Sequence, residues 1–246
     1  MKRLKNLCLL TLAILLVSFG AAGMVTFAAS DTSSSSTQNG LVEENGKLYY
    51  YKNGKLVTDK LGIKIGKSYY KISKKGVCKK VSEAAGRAGV QLEKIGRASS
   101  NSKTLKKAFK WCSTKITYKT NCGSPSSGQS DAAYYSIYGF KNKKGDCVVM
   151  AATFYQMAKV LGYNAKLVRG YIVSGYNSDG SPILASHAWV TIKISGTTYV
   201  YDPNFAYVQH TLSNNTSAHS GYKMTYTKTG SKKQYVYYSS KKKLLK

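Results

Sequence analysis

Acidic residues are scarce in this chain: 10 stand against 38 lysines and arginines in 246 residues, and the formal net charge is +28. With no Asp-x-Asp-x-Asp-Gly loop among them, a calcium-dependent site is not expected. Arginine is rarer still, at Arg3, Arg87, Arg97 and Arg169 alone. Lysine lacks the planar fork that reads base edges. The charge therefore points to a diffuse polyanion, such as an anionic cell-wall polymer or an anionic lipid surface, and away from specific nucleic-acid binding. Histidine occurs only at His187, His210 and His219, and no Cys-x-x-Cys pair exists. No zinc spacing results, and neither a metal nor a cofactor is expected.

Long apolar runs are absent except at the start. "MKRLKNLCLLTLAILLVSFGAAGMVTFAAS" has a basic opening, an apolar stretch from Leu7 to Phe19 and then small residues. Residues 1–30 read as a secretory signal peptide that takes Cys8 with it, and no later segment could span a bilayer. Removing Lys2, Arg3 and Lys5 from +28 leaves +25. Of the remaining cysteines, Cys78, Cys112, Cys122 and Cys147, sequence does not choose the pairing. A Cys112–Cys122 disulfide is one option in an oxidising compartment.

Residues 31–40 are a Ser/Thr-rich linker. Within 41–80, "NGKLYYYKNGKLV" and "IGKSYYKISKKGV" repeat at an offset of twenty residues, aligning Tyr49-Tyr50 with Tyr69-Tyr70. Each unit reads as a β-hairpin with glycine turns. The remainder, 81–246, is long enough for one domain with a proper core. Helical patterns cover Ser82–Arg97, Ser102–Lys115, Asp131–Tyr138 and the apolar stretch from Cys147 to Leu161, which Gly162 stops. "NAKLVRGYIV" alternates as a strand, "SGYNSDGSPILAS" reads as a rim loop, and "HAWVTIKISGTTYVYDPNF" as a hairpin turning at Ser195-Gly196. From Tyr207 the tail suggests further strands. Helices first and strands afterwards argue for an α+β domain.

A lone cysteine is most often a small core hydrophobe. Cys147, however, opens a helix, where the backbone dipole favours a thiolate. Asp146 beside it reads as the N-cap, its carboxylate turned onto the first-turn amides. A two-residue turn at Ser195-Gly196 sets Trp189 opposite Asp202. His187 shares that face and becomes a diagonal neighbour of Asp202, while a one-residue slip would separate them. Thiol, imidazole and carboxylate together suit nucleophilic attack on an amide. The Cys147 amide is the natural oxyanion donor, with Trp189, Tyr118 and Tyr134 as substrate-binding or further oxyanion candidates.

Two resemblances add to this reading. "GDCVVMAATFYQMAKVLGYNAKLVRGY", "HAWV" and "DPNF" resemble the transglutaminase-like superfamily of papain-related thiol enzymes. That likeness implies a papain-like α+β core with the nucleophile helix packed on an antiparallel sheet. It carries nucleophile, general base and orienting acid onto Cys147, His187 and Asp202. It implies a cysteine peptidase or acyltransferase acting on protein or peptide substrates, with water or an amine resolving the thioester. The repeats resemble degenerate glucan- and choline-binding repeats of Gram-positive surface proteins, without their tryptophans. That makes Tyr49, Tyr50, Tyr69 and Tyr70 wall-ligand candidates and implies a secreted, wall-associated protein. Two rival readings are a non-catalytic wall-binding adhesin that retains the fold and a charge-driven nucleic-acid binder.

Overall fold

The tight turns of the repeat region set its shape. Asn45-Gly46 and Asn53-Gly54 all take positive φ, at 52°, 69°, 53° and 71°, the backbone that two-residue hairpin turns require. In the computed structural model, which describes residues 38–212, 221–227 and 235–246, they link β1 (Gly40–Glu44), β2 (Lys47–Lys52) and β3 (Lys55–Leu56). The second unit repeats the plan with β4 (Lys60–Ile65), β5 (Ser68–Ile72) and β6 (Cys78–Val81). Each unit is thus a three-stranded meander, not the two-stranded hairpin expected. The extra strand gives each sheet an apolar face broad enough to bury. Tyr70, Ile72 and Cys78 form a shared core with Leu41, Leu48 and Tyr50 of the first meander.

The second meander is docked onto α1 (Glu83–Ile95), whose N-cap Ser82 accepts the Ala85 amide. Glycines bring the two backbones together. A Cβ on Gly86 would sit 2.1 Å from the Tyr69 Cβ, and one on Gly89 2.3 Å from the Leu61 carbonyl oxygen. The Leu61 amide donates to Glu93 Oε1 at 2.8 Å, and Arg97 spans Asp59 and Glu93. Tyr69 and Tyr70 are consequently buried, with 8% and 9% exposure. Tyr69 is packed against α1 and Tyr70 against the first meander, so neither ring offers an open stacking face to a wall ligand. Tyr49 and Tyr50 are half-buried.

Then follow α2 (Asn101–Lys115), β7 (Thr117–Tyr118), α3 (Asp131–Asn142), β8 (Lys144–Gly145) and α4 (Cys147–Val160). The chain continues through β9 (Ala165–Tyr176), β10 (Pro182–Ile194), β11 (Thr197–Tyr201), α5 (Pro203–Leu212) and β12 (Tyr237–Ser239). The last four strands make one antiparallel sheet ordered β11-β10-β9-β12. Helix α4 is apolar nearly all round, which fits its central place. Met150, Phe154 and Met157 are wholly buried, and Phe154 meets Phe109 of α2 edge-on at 5.4 Å and Tyr201 of β11 at 5.5 Å. The result is an α+β fold in which the helix opening at Cys147 packs on an antiparallel sheet.

Three local readings are revised. "SGYNSDGSPILAS" is not a loop: it forms the far end of the β9–β10 hairpin, turning over residues 177–181. "DPNF" does not extend a strand; it starts α5, with Pro203 at the first helical position, where its missing N–H goes unneeded. Cys112 and Cys122 are both free thiols, as are Cys78 and Cys147; Cys112 is sealed beside Met157. Among the described residues no helix is long and apolar enough to cross a membrane. The stretch 1–30 expected to be a signal peptide, Cys8 within it, most of the expected linker and His219 lie outside the described residues.

Candidate active site

Asp146 caps α4: its Oδ1 accepts the Val149 amide at 3.0 Å. The cap turns this carboxylate onto the helix backbone and starts the helix with Cys147. Parallel pairing of β7 with β8 holds the approach, setting Tyr118 beside Gly145. Cys147 is half-buried, and so reachable.

The β10–β11 hairpin turns at Ser195-Gly196, both at positive φ, and pairs Val190 with Tyr201. One step further, that register sets Trp189 against Asp202 and leaves His187 diagonal to it. His187 Nε2 lies 2.7 Å from Asp202 Oδ2. With that nitrogen engaged, the other ring nitrogen is the one left to serve the Cys147 side chain, which is near enough to act on the charge of the ring. Burial, the strongest single influence, opposes the imidazolium. The Asp202 charge and hydrogen bond, reinforced by Cys147, override it and raise the His187 pKa to about 10. His187 and Asp202 are 5% and 0% exposed, so solvent hardly screens the pair.

Asp202 is also the N-cap of α5. Its Oδ1 accepts the Phe205 amide at 2.9 Å, and its Oδ2 accepts the Tyr237 hydroxyl at 2.8 Å as well as His187. Three donors from three elements thus fix one buried carboxylate. Tyr237 comes from β12, at the opposite edge of the sheet from β11, and nothing in the sequence singled it out among 21 tyrosines. Burial, with the charge and hydrogen bond of Asp202, holds its hydroxyl well above the usual tyrosine range. It therefore donates to Asp202 as the neutral phenol. Tyr235, edge-on to His187 at 5.7 Å, is pushed up to about 12, first by burial and then by Asp202 and Cys147. It was likewise not anticipated.

The other sequence candidates are placed differently. Trp189 is wholly buried and its indole N–H donates to Tyr226 Oη at 3.0 Å. It packs behind His187 and has no donor to offer the cleft. The Tyr134 hydroxyl donates to the Cys122 carbonyl at 3.0 Å, fastening the loop before α3. Tyr118 is 46% exposed and stacks on Tyr207 at 6.4 Å. Its hydroxyl is raised by burial and then by Cys147 and Asp146, so of the three it is the one at the rim of the thiol. Among the described residues no cluster of His, Cys, Asp or Glu is arranged to hold a metal ion.

No curated protein matches this chain. Similar solved structures include the periplasmic domain of TgpA from Pseudomonas aeruginosa, at 16% identity and TM-score 0.39, covering 52% of this chain and 45% of that one. A candidate cysteine protease from Cytophaga hutchinsonii matches at 15% identity and TM-score 0.36, covering 50% and 38%. A TGase matches at 17% and 0.33, covering 50% and 33%. The chain thus spans less than half the length of each. The family model described as the transglutaminase-like superfamily matches residues 90–203, the stretch that holds Cys147, His187 and Asp202. Residues 90–203 thus match as a transglutaminase-like superfamily domain.

Proposed function

We propose that the protein is a secreted, cell-surface enzyme that breaks or exchanges protein and peptide amide bonds through Cys147. The observation that carries this reading is the buried His187 ring, held by Asp202 at 2.7 Å, with the half-buried Cys147 thiol near enough to act on its charge. A pure binding protein gains nothing from a buried ion pair aimed at a reachable sulfur. Secretion rests on the basic, then apolar, then small-residue order of residues 1–30.

In this mechanism the proton of the Cys147 thiol rests on His187, whose imidazolium Asp202 favours, and the sulfur attacks the amide carbon. The carbonyl oxygen becomes an oxyanion at the N-terminus of α4, where the Cys147 amide is the natural donor, an interaction worth about 3 kcal/mol. The C–N bond breaks as His187 gives its proton to the departing amine, leaving a thioester on Cys147. Water or a second amine then attacks that thioester, His187 accepts the proton of the attacking group, and the sulfur leaves as thiolate. Asp202 holds the ring orientation and stabilises the imidazolium throughout.

The test incubates the protein with a glutamine-bearing peptide and a tagged amine, scoring amine incorporation against cleavage. Either product, abolished in Cys147→Ala, is expected. If neither forms, and iodoacetamide labels Cys147 no faster than a free thiol, the enzyme reading falls and a non-catalytic adhesin replaces it.

A further inference from the structure

We propose that the seam between the second meander and α1 is a binding groove for a linear phosphodiester polyanion without bases, separate from the thiol cleft. The groove is a cavity of about 240 Å³ lined by Lys64, Lys67, Ser68, Lys80 and Arg87, with Tyr69 and Glu83 in its wall. The three lysines are exposed, and none has an acidic partner among the described residues. Glu83 does not offset them. Its carboxylate is held by Arg87 at 2.8 Å and Lys141 at 3.4 Å, two cations for one anion. Arg87 in turn lies over the Tyr69 ring at 5.6 Å, which fixes its guanidinium on the groove wall. A fixed planar fork beside mobile ammonium groups suits phosphate oxygens.

The extent of the charge points to a chain and not a single anion. A second cavity of about 340 Å³ has Lys71 and Lys159 in its lining and shares Val81 with the first. Cations therefore continue past Val81 from one cavity into the next. Residues 41–80 hold eleven lysines and three carboxylates (Glu43, Glu44, Asp59), and Asp59 is already paired with Arg97. This module contains no arginine and buries Tyr69 and Tyr70, so it presents few of the forks and stacking faces by which proteins hold bases. What it does present is concave positive charge.

The experiment measures binding of labelled poly(glycerol phosphate) to the mature chain by fluorescence anisotropy across a salt series. Lys64→Gln/Lys67→Gln/Lys80→Gln should weaken binding about tenfold or more and lower the salt slope by about 2. The control Lys106→Gln/Lys110→Gln/Lys115→Gln, which removes as much charge from the exposed face of α2, should bind nearly as wild type. Ser68→Asp, which puts a carboxylate into the groove, should weaken binding to a similar degree and serves if the triple variant folds poorly. Equal loss in groove and control variants overturns the proposal, since charge alone would then be responsible. Single-stranded DNA of matched charge binding as tightly also overturns it, in favour of nucleic acid. Thiol labelling of Cys147 should be unchanged in every variant, which keeps this test distinct from that of the enzyme reading.

Discussion

Asp202 and His187 meet at 2.7 Å through Oδ2 and Nε2, with Asp202 fully buried and His187 nearly so. Three elements converge on that carboxylate: β10 through His187, α5 through the Phe205 amide and β12 through Tyr237. Asp202→Asn should leave the hairpin folded but lose the charge that favours the imidazolium. Amide turnover should fall on the order of 10³-fold or more, by analogy with triads whose acid is replaced. Iodoacetamide labelling of Cys147 near neutral pH should slow in parallel; unchanged rates would show that Asp202 does not act on the ring.

The same contact sets a pH dependence for stability. The His187 pKa is raised from 6.5 to about 10 in the folded chain, so the native state holds its proton more tightly than the unfolded chain does. The stabilisation is complete below about 6.5, and it is lost as pH rises through about 10. Denaturant unfolding of wild type should show stability falling across that window, and Asp202→Asn should flatten the dependence. A stability rising with pH there would contradict the assigned charges.

Tyr237→Phe isolates one hydroxyl. The ring keeps its packing on Trp189, at 4.8 Å between centroids, while Asp202 loses a donor at 2.8 Å. A stability loss of about 1–3 kcal/mol is expected. The turnover defect should lie in kcat and not in KM, because Tyr237 acts through Asp202. Wild-type kcat in this variant would reduce Tyr237 to packing.

Gly86→Ala tests the docking of the second meander. The new methyl would fall 2.1 Å from the Tyr69 Cβ, which neither backbone can absorb without moving. Destabilisation of about 1–3 kcal/mol, or more, is expected. Proteolysis between the meanders and α1 should become faster; an unaltered melting temperature would mean the seam is loose.

Asp146→Ala removes the N-cap of α4. It should cost about 1 kcal/mol in thermal or denaturant unfolding, since Val149 loses its acceptor. Asp146→Asn, which can still cap, should recover most of that loss.

What could be read from sequence follows the range of each interaction. Ser195-Gly196 determines the β10–β11 register locally, so the proximity of His187 and Asp202 could be deduced by counting from the turn. The cap at Asp146 and the apolar periodicity of α4 are equally local. Tyr237 was not legible, because it reaches Asp202 across 35 residues of chain and its strand is only three residues long. Pro203 suits both a turn and the first position of a helix, and only the tertiary setting chose α5. Tyr69 and Tyr49 occupy equivalent repeat positions, yet Tyr69 is buried because α1 offers Gly86 beneath it. Burial of that kind is decided by a partner surface that the repeat itself does not encode.

The close seating of β4 against α1 has a mechanical side. Leu61 is hydrogen-bonded to Glu93, and α1 rests on α4, so the amino-terminal module cannot swing as a bead on a string. Any pull on it arrives as shear along α1 and from there bears on the helix whose first residue is Cys147. An immobilised molecule would thus hold its cleft in a set attitude toward whatever it is fastened to, restricting the bonds within reach to those at one height above that surface.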